Sequence, residues 1–410
     1  MPQPLGPASR RQTLRQLAAL ASLPVLTPSQ ATASALTAGG SLEVRLDLGA
    51  EIAAGRFDPA LHRVGLRGAH PPLSWGSSWP LEPEPGSEPA GRFWHGRVPF
   101  DSLPFGGQPL AWKAKIDGLP SPGDGWEPGA NHRTRLKGPS RIERSFGAAA
   151  EPLPPRRTGR IERWAPISAD PLAQREVQVW WPPGEDGHRP LPMLLMHDGQ
   201  NVFDDASAGA EWMLDETAER LVRNGAVAPM LIVAVASTAA RIDDYTPWPG
   251  RMSRGGDPVG GGGAAYAAWL AGALLPELER RLPLVRGPAG RERRFVGGSS
   301  LGGLMSMWML LAQPALWGGA LVVSPSVWWS EGRLLDEIPQ RGTGAAAPRL
   351  WLDIGRREGA EEVGGAERLS QRLSARGWAH RFVLDEAAGH DEASWASRGE
   401  AMLRFLLSPT

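Results

Sequence analysis

Cysteine is absent from the 410-residue chain. That excludes disulfides, thiolate metal sites and a cysteine nucleophile. It leaves the redox compartment open, since a chain without thiols suits either side of a membrane. Lysine is nearly absent as well, at Lys113, Lys115 and Lys137 alone. We read this arginine bias as genomic composition rather than function. Cations and acids balance at 44 each, so the charge gives no reason to expect a nucleic-acid or polyanion partner. Long apolar runs are missing too. No stretch approaches the ~18 uninterrupted apolar residues of a membrane span, and the mature chain is expected to be soluble.

The first forty residues have a different character. Ser9-Arg10-Arg11-Gln12-Thr13-Leu14 resembles the twin-arginine export pattern. An apolar run from Leu17 to Leu26, broken by Pro24, follows it, and Ala31-Thr32-Ala33 offers an A-x-A cleavage site. This order predicts a signal peptide over residues 1–35, the Tat machinery as an export partner, and a periplasmic or secreted location. The alternative is an N-terminal tail with two chance arginines.

Two patterns follow. Residues 41–138 read as short strands divided by Gly and Pro, which predicts a small all-β sandwich. Ser41–Leu48 alternates with period two; His62–Arg67, Phe93–Val98 and Leu110–Ile116 are further strands. Residues 139–159, with the run Pro152-Leu153-Pro154-Pro155-Arg156-Arg157, read as a linker. From 160 to 410 strands alternate with helices, as in a doubly wound, mostly parallel α/β sheet. Val177–Trp181, Met193–Met196, Met230–Val235, Ala320–Val323, Leu350–Ile354 and Arg381–Leu384 are its strands. Trp212–Arg223, Tyr266–Leu282 (kinked at Pro276) and Glu367–Arg376 are helices.

Gly298-Ser299-Ser300-Leu301-Gly302 fits G-x-S-x-G, between the strand at Arg294–Val296 and the helix at Leu304–Ala312. The chemistry explains the glycines. A nucleophilic serine must stand exposed on a sharp strand-to-helix turn, whose flanking residues approach too closely for side chains. The helix behind it then offers its dipole and the Leu301 N–H to an oxyanion. A Gly-Ser loop with purely structural glycines is the competing reading.

The α/β-hydrolase order is serine, acid, histidine. Of eight histidines, His380 and His390 follow Ser300. His380 opens a strand, whereas His390 lies in the loop Ala388-Gly389-His390-Asp391 and is taken as the base. Glu358, just past the strand Leu350–Ile354, is taken as the acid. Asp353 is its rival, and Glu361 and Glu362 read as helix-cap charges. A second oxyanion N–H is expected from His197-Asp198-Gly199-Gln200-Asn201, with Gly199 turning the backbone inward and Gln200 donating; a simple tight turn is equally open. No second ligand stands at helical spacing from His197, so no metal is expected, and no cofactor is expected.

With these residues in hand, 160–406 resembles the esterase family that includes enterochelin esterases, esterase D and the mycolyl transferases. The resemblance rests on Leu194–Phe203, Gly297–Leu304, Ser324-Pro325-Ser326-Val327-Trp328-Trp329, and Gly389-His390-Asp391 with Trp395. It implies a triad of Ser300, Glu358 and His390, with Trp328 and Trp329 near the pocket. It also matches Arg241 and Tyr245 to an R-x-x-x-Y stretch, as substrate-binding positions. Enterochelin esterases act on siderophores in the cytoplasm, so an exported chain departs from them in setting. The front segment resembles a starch-binding-type sandwich through Gly68–Trp75, Trp94 and Trp126–Arg133. Trp75 and Trp126 match sugar-stacking positions, and Lys113 or Lys115 an accompanying polar one. The reading taken is that these tryptophans are core or face the catalytic pocket. The expectation is therefore a serine esterase acting on a small or saccharide-linked ester. A carbohydrate esterase, an acyl transferase and a non-catalytic binding protein are the alternatives.

Overall fold

A computed structural model describes residues 40–101, 108–121, 124–136, 138–151, 157–167, 172–203, 211–252, 256–340 and 347–407. The expected signal peptide and residues 152–156 of the expected linker lie outside them.

Eight short strands form the front sandwich: β1 (Gly40–Asp47), β2 (Arg63–Gly68), β3 (Trp79–Pro80), β4 (Glu82–Pro83), β5 (Phe93–Phe100), β6 (Leu110–Asp117), β7 (His132–Thr134) and β8 (Pro139–Ser145). They make two sheets, ordered β4-β5-β1-β8 and β3-β2-β6-β7. Alternate residues of each sheet point into one shared core. Leu42, Val44, Leu46, Trp94 and Val98 meet Val64, Leu66, Trp112, Ala114 and Ile116 there. Trp94 lies in this core, in line with the reading taken, and so does Trp112. One expectation changes: β8, within the stretch expected as linker, pairs in parallel with β1 from Ser41↔Pro139 to Asp47↔Ser145. It is an edge strand that offers only Ile142 to the core, so its Arg and Glu residues masked the alternation.

The second half holds an eight-stranded sheet: β9 (Arg160–Ile167), β10 (Arg175–Trp181), β11 (Met193–Met196), β12 (Leu231–Val235), β13 (Arg294–Ser299), β14 (Gly319–Val323), β15 (Arg349–Gly355) and β16 (His380–Asp385). Its order is β16-β15-β14-β13-β11-β12-β10-β9, parallel from β12 to β16, with β9 and β10 antiparallel. Strands β11, β12 and β14 are apolar throughout, as suits strands buried on both faces. Period two sorts the side chains of the central strands. Leu195, Val233, Val296, Val322 and Leu352 enter one core; Leu194, Ile232, Phe295, Leu321 and Trp351 enter the other. Truncating one such leucine to alanine costs about 2–5 kcal/mol.

The helix after β13, Leu301–Ala312, is buried on nearly every side. Its apolar composition all round fits that position. The segment expected as one kinked helix is two, Gly263–Trp269 and Leu275–Arg281, joined by a π turn over Leu270–Leu274. Pro276 lacks an N–H and would clash with the preceding turn; the wider π turn accommodates it. No helix among the described residues is long and apolar enough to cross a membrane.

The front half is tied to the segment that leads into the helix Leu214–Arg223. Gln108 Nε2 donates to the Glu211 carbonyl at 2.8 Å. A cleft of about 1360 Å³ opens between the two halves, lined on one side by His70, Trp75 and Asn131 and on the other by Gly389, Asp391 and Ser394.

Candidate active site

Ser300 occupies the turn between β13 and its helix, with φ 57° and ψ −121°. That is a left-handed conformation rarely adopted by a residue with a Cβ. The neighbouring glycines permit it. A Cβ on Gly298 would lie 3.0 Å from the Gly302 carbonyl carbon, and one on Gly303 2.8 Å from the Val323 oxygen. Ser300 N–H donates to Val323 O at 3.0 Å, and Ser326 N–H to Ser300 O at 3.1 Å. The Ser300 hydroxyl lies 3.3 Å from that of Ser326. Leu301 begins the helix, where the first N–H groups have no intrahelical acceptor.

Glu358 follows β15 in a short 3-10 turn, Arg356–Glu358, and its side chain is 1% exposed. Its Oε1 accepts from Gly355 N–H at 2.7 Å and from Ser324 Oγ at 2.6 Å. Its Oε2 lies 2.7 Å from His390 Nδ1. His390 stands just before the helix Glu392–Leu407, which Asp391 caps through Ser394 N–H at 2.8 Å. Trp395, one turn in, meets the imidazole edge-on at 5.2 Å. The structure thus joins Glu358 and His390, on the loops after β15 and β16, which lie two and three strands along the same sheet from β13 and its elbow.

Asp353, the rival acid, bonds to groups other than His390. It is fully buried and accepts from Trp351 Nε1 at 2.6 Å and Arg398 Nη2 at 3.2 Å. Burial pushes its carboxyl up, against the pull of the Arg398 guanidinium. Glu361 and Glu362 lie in the first turn of the helix Ala360–Ala375, as expected of cap charges.

The loop after β11 packs against the elbow: a Cβ on Gly302 would lie 3.3 Å from His197 Cβ and 3.7 Å from Asp198 Oδ2. The residue that turns the backbone is Asp198, at φ 52°, rather than Gly199. Gly199 is required for another reason, since a Cβ there would strike the Ala234 and Val235 backbone at 2.6 Å. Gln200 is latched to Ser237, donating from Nε2 to Oγ at 2.9 Å and accepting Ser237 N–H at 3.0 Å.

Arg241 holds Asp198 with two parallel bonds of 2.7 and 2.8 Å. Tyr245 is fully buried, and its hydroxyl accepts Asp198 N–H at 2.9 Å. A substrate-binding place for Tyr245 is therefore corrected to one beneath the loop. Trp329 is corrected likewise: it is fully buried, donating to Trp248 O at 2.8 Å, with the Gly250 backbone against its ring. Trp328 keeps a partly exposed face. His197 is buried, with Nδ1 3.0 Å from the Tyr266 hydroxyl, and burial lowers its pKa to about 4. In the front domain Trp75 is 39% exposed and lies 6.2 Å from Trp126.

Ser324 and Ser326 entered the sequence reading only as part of a stretch carrying the resemblance, with no role assigned, and Arg398 did not enter it. The signal available was Ser324-Pro325-Ser326, polar residues that close an apolar strand next to the elbow strand.

A family model described as "Putative esterase" matches residues 168–406. Uncharacterized protein YbbA of Bacillus subtilis is 27% identical over 198 residues, covering 48% of this chain and 74% of that one. The iron(III) salmochelin esterase of Escherichia coli is 26% identical over 233 residues, 54% of this chain and 51% of that one. Here the match spans about half of the relative's length. The enterobactin esterase of Shigella flexneri, solved in the presence of enterobactin, aligns with a TM-score of 0.56 at 16% identity, covering 84% of this chain and 87% of that one. At that identity the likeness shows the fold alone. The family match runs over more than half of the chain, from β10 through the helix behind His390, and the chain belongs to this esterase family of the α/β-hydrolase fold.

Proposed function

We propose that this chain hydrolyses a carboxylic ester through an acyl-Ser300 intermediate. The observation that carries the reading is the 2.7 Å contact of Glu358 Oε2 with His390 Nδ1, on a sheet whose β13 ends in a serine held at φ 57°. His390 Nε2 takes the Ser300 proton as Oγ bonds to the ester carbonyl carbon. The ester C–O bond then breaks, and His390 returns the proton to the leaving alcohol. A water activated by the same imidazole attacks the acyl-serine, which releases the acid and restores Ser300. Leu301 N–H, with N–H groups of Gly199 or Gln200, stabilises the oxyanion. The resting Ser300–Ser326 contact gives way when substrate binds, since catalytic hydrogen bonds tighten in the bound complex.

Siderophore esterases among the relatives support an enterochelin-esterase-like substrate, and Trp328 and Arg241 are its candidate contacts. The cleft shared with the His390 loop supports a front domain that shapes the pocket. The twin-arginine motif supports export to the periplasm or beyond. A division into signal (1–35), sandwich, linker and catalytic domain from 160 fits this reading, with the sandwich extended through β8. A second reading, a carbohydrate esterase of feruloyl or acetyl type, draws on the exposed Trp75 beside Trp126. Pull-down on starch or xylan tests that alternative, and absence of binding removes it. For the main reading, Ser300→Ala should abolish hydrolysis of p-nitrophenyl esters while the fold persists. A folded variant with unchanged turnover contradicts it.

A further inference from the structure

Ser324 follows β14 directly and is 1% exposed. Trp395 Nε1 lies 3.0 Å from its hydroxyl oxygen, and Arg398 Nη2 lies 3.4 Å from it. Indole and guanidinium N–H groups donate and never accept. A hydroxyl oxygen has two lone pairs and one proton. With both lone pairs engaged, that proton has one direction left, toward Glu358 Oε1 at 2.6 Å. The same Oε1 also receives Gly355 N–H at 2.7 Å. The carboxylate therefore turns its other oxygen, Oε2, to His390 Nδ1. An ionised carboxylate only accepts, so the imidazole proton must sit on Nδ1. That leaves the Nε2 lone pair free to act as a base.

The far end of the chain is anchored as well. Ser324 has φ 42°, and its N–H donates to Asp353 O at 3.0 Å. Arg398 Nη2 carries two hydrogens; one faces Ser324, and the other bonds to Asp353 Oδ1 at 3.2 Å. The Glu358 turn and the last helix meet at the Ser324 hydroxyl, while β15 holds its backbone N–H.

We propose that Ser324 is a positioning residue of this site. Its hydroxyl, fixed as a donor by Trp395 and Arg398, orients Glu358 and so sets the His390 tautomer. The inference rests on reading Ser300, Glu358 and His390 as the triad. It is tested on the full chain with Ser324→Ala, Trp395→Phe and Ser300→Ala, by p-nitrophenyl ester kinetics and by the downfield proton resonance of His390 Nδ1–H. Ser324→Ala should lower kcat about 10- to 100-fold, part of the 10²–10⁴ that acid–base catalysis contributes. KM should stay within about threefold, and the Nδ1–H resonance should broaden or vanish. Trp395→Phe keeps the ring beside His390 but frees one Ser324 lone pair, and it should move both readouts the same way by a smaller amount. It also decides the matter if Ser324→Ala does not fold. Wild-type kcat with an unchanged resonance in either folded variant overturns the proposal. Ser300→Ala separates the two layers. If it abolishes turnover while Ser324→Ala does not change it, the positioning role alone fails; if it retains turnover, the triad reading fails.

Discussion

Gly355 lies against Ala388: a Cβ on Gly355 would sit 2.4 Å from the Ala388 carbonyl oxygen. Arg357 N–H donates to that same oxygen at 3.0 Å. The end of β15, which carries the acid, is thus docked directly onto the loop that carries His390. Gly355→Ala must push the two apart. We expect a loss of ~1–3 kcal/mol in stability, as for other overpacked sites, and a larger proportional loss in kcat than in KM. Urea unfolding and steady-state kinetics on the same preparation check both.

Glu358 and Asp353 should separate by phenotype. Glu358→Gln should lower kcat by about 10² or more, through loss of imidazolium stabilisation, with little change in melting temperature. Asp353→Ala removes the fully buried carboxylate from the Arg398 guanidinium, which is 5% exposed and keeps Asp385, at the longer distance of 3.5 Å, as its carboxylate contact. Breaking a buried pair in this way costs about 3–5 kcal/mol, so that variant should fail in thermal melts before it fails in kinetics.

The sequence made the elbow readable because its glycines are a steric requirement of the turn. His390 and Glu358, the proposed base and acid, were legible as loop residues because each follows the end of a parallel strand. The placement of Tyr245 and Trp329 was not legible, because a motif position carries no direction of burial. Both aromatics turned inward, one beneath Asp198 and the other under Gly250. The Ser324 arrangement was illegible for a different reason. It exists only where Glu358, Trp395 and Arg398 meet, and no spacing along the chain encodes that meeting.

Arg241 bonds Asp198 through both carboxylate oxygens, and the Asp198 side chain is 9% exposed. Arg241→Leu leaves that carboxylate without its counter-charge beside the elbow. We expect about 2 kcal/mol of destabilisation and a fall in kcat, as the loop bearing Gly199 and Gln200 loses its hold. A variant with normal kcat would detach this clamp from the oxyanion site. Thermal melts with parallel kinetics distinguish the outcomes.

His197 gives a pH signature. Its pKa in the folded chain is about 4, against 6.5 for an ordinary histidine, chiefly from burial. Between those values the unfolded chain takes up a proton that the folded chain refuses. Stability should therefore fall as pH drops from 6.5 toward 4, by about 3 kcal/mol for this group alone. Urea unfolding across that range, compared with His197→Gln, isolates the contribution: the variant should show a shallower slope.

The acyl-enzyme itself is the central claim. Wild-type protein mixed with an excess of p-nitrophenyl acetate, acid-quenched within the first turnovers and digested, should yield an acetylated peptide containing Ser300. The His390→Ala variant should accumulate it far more slowly. An acyl adduct on another residue, or wild-type turnover with no adduct and no loss of activity in Ser300→Ala, would contradict the account.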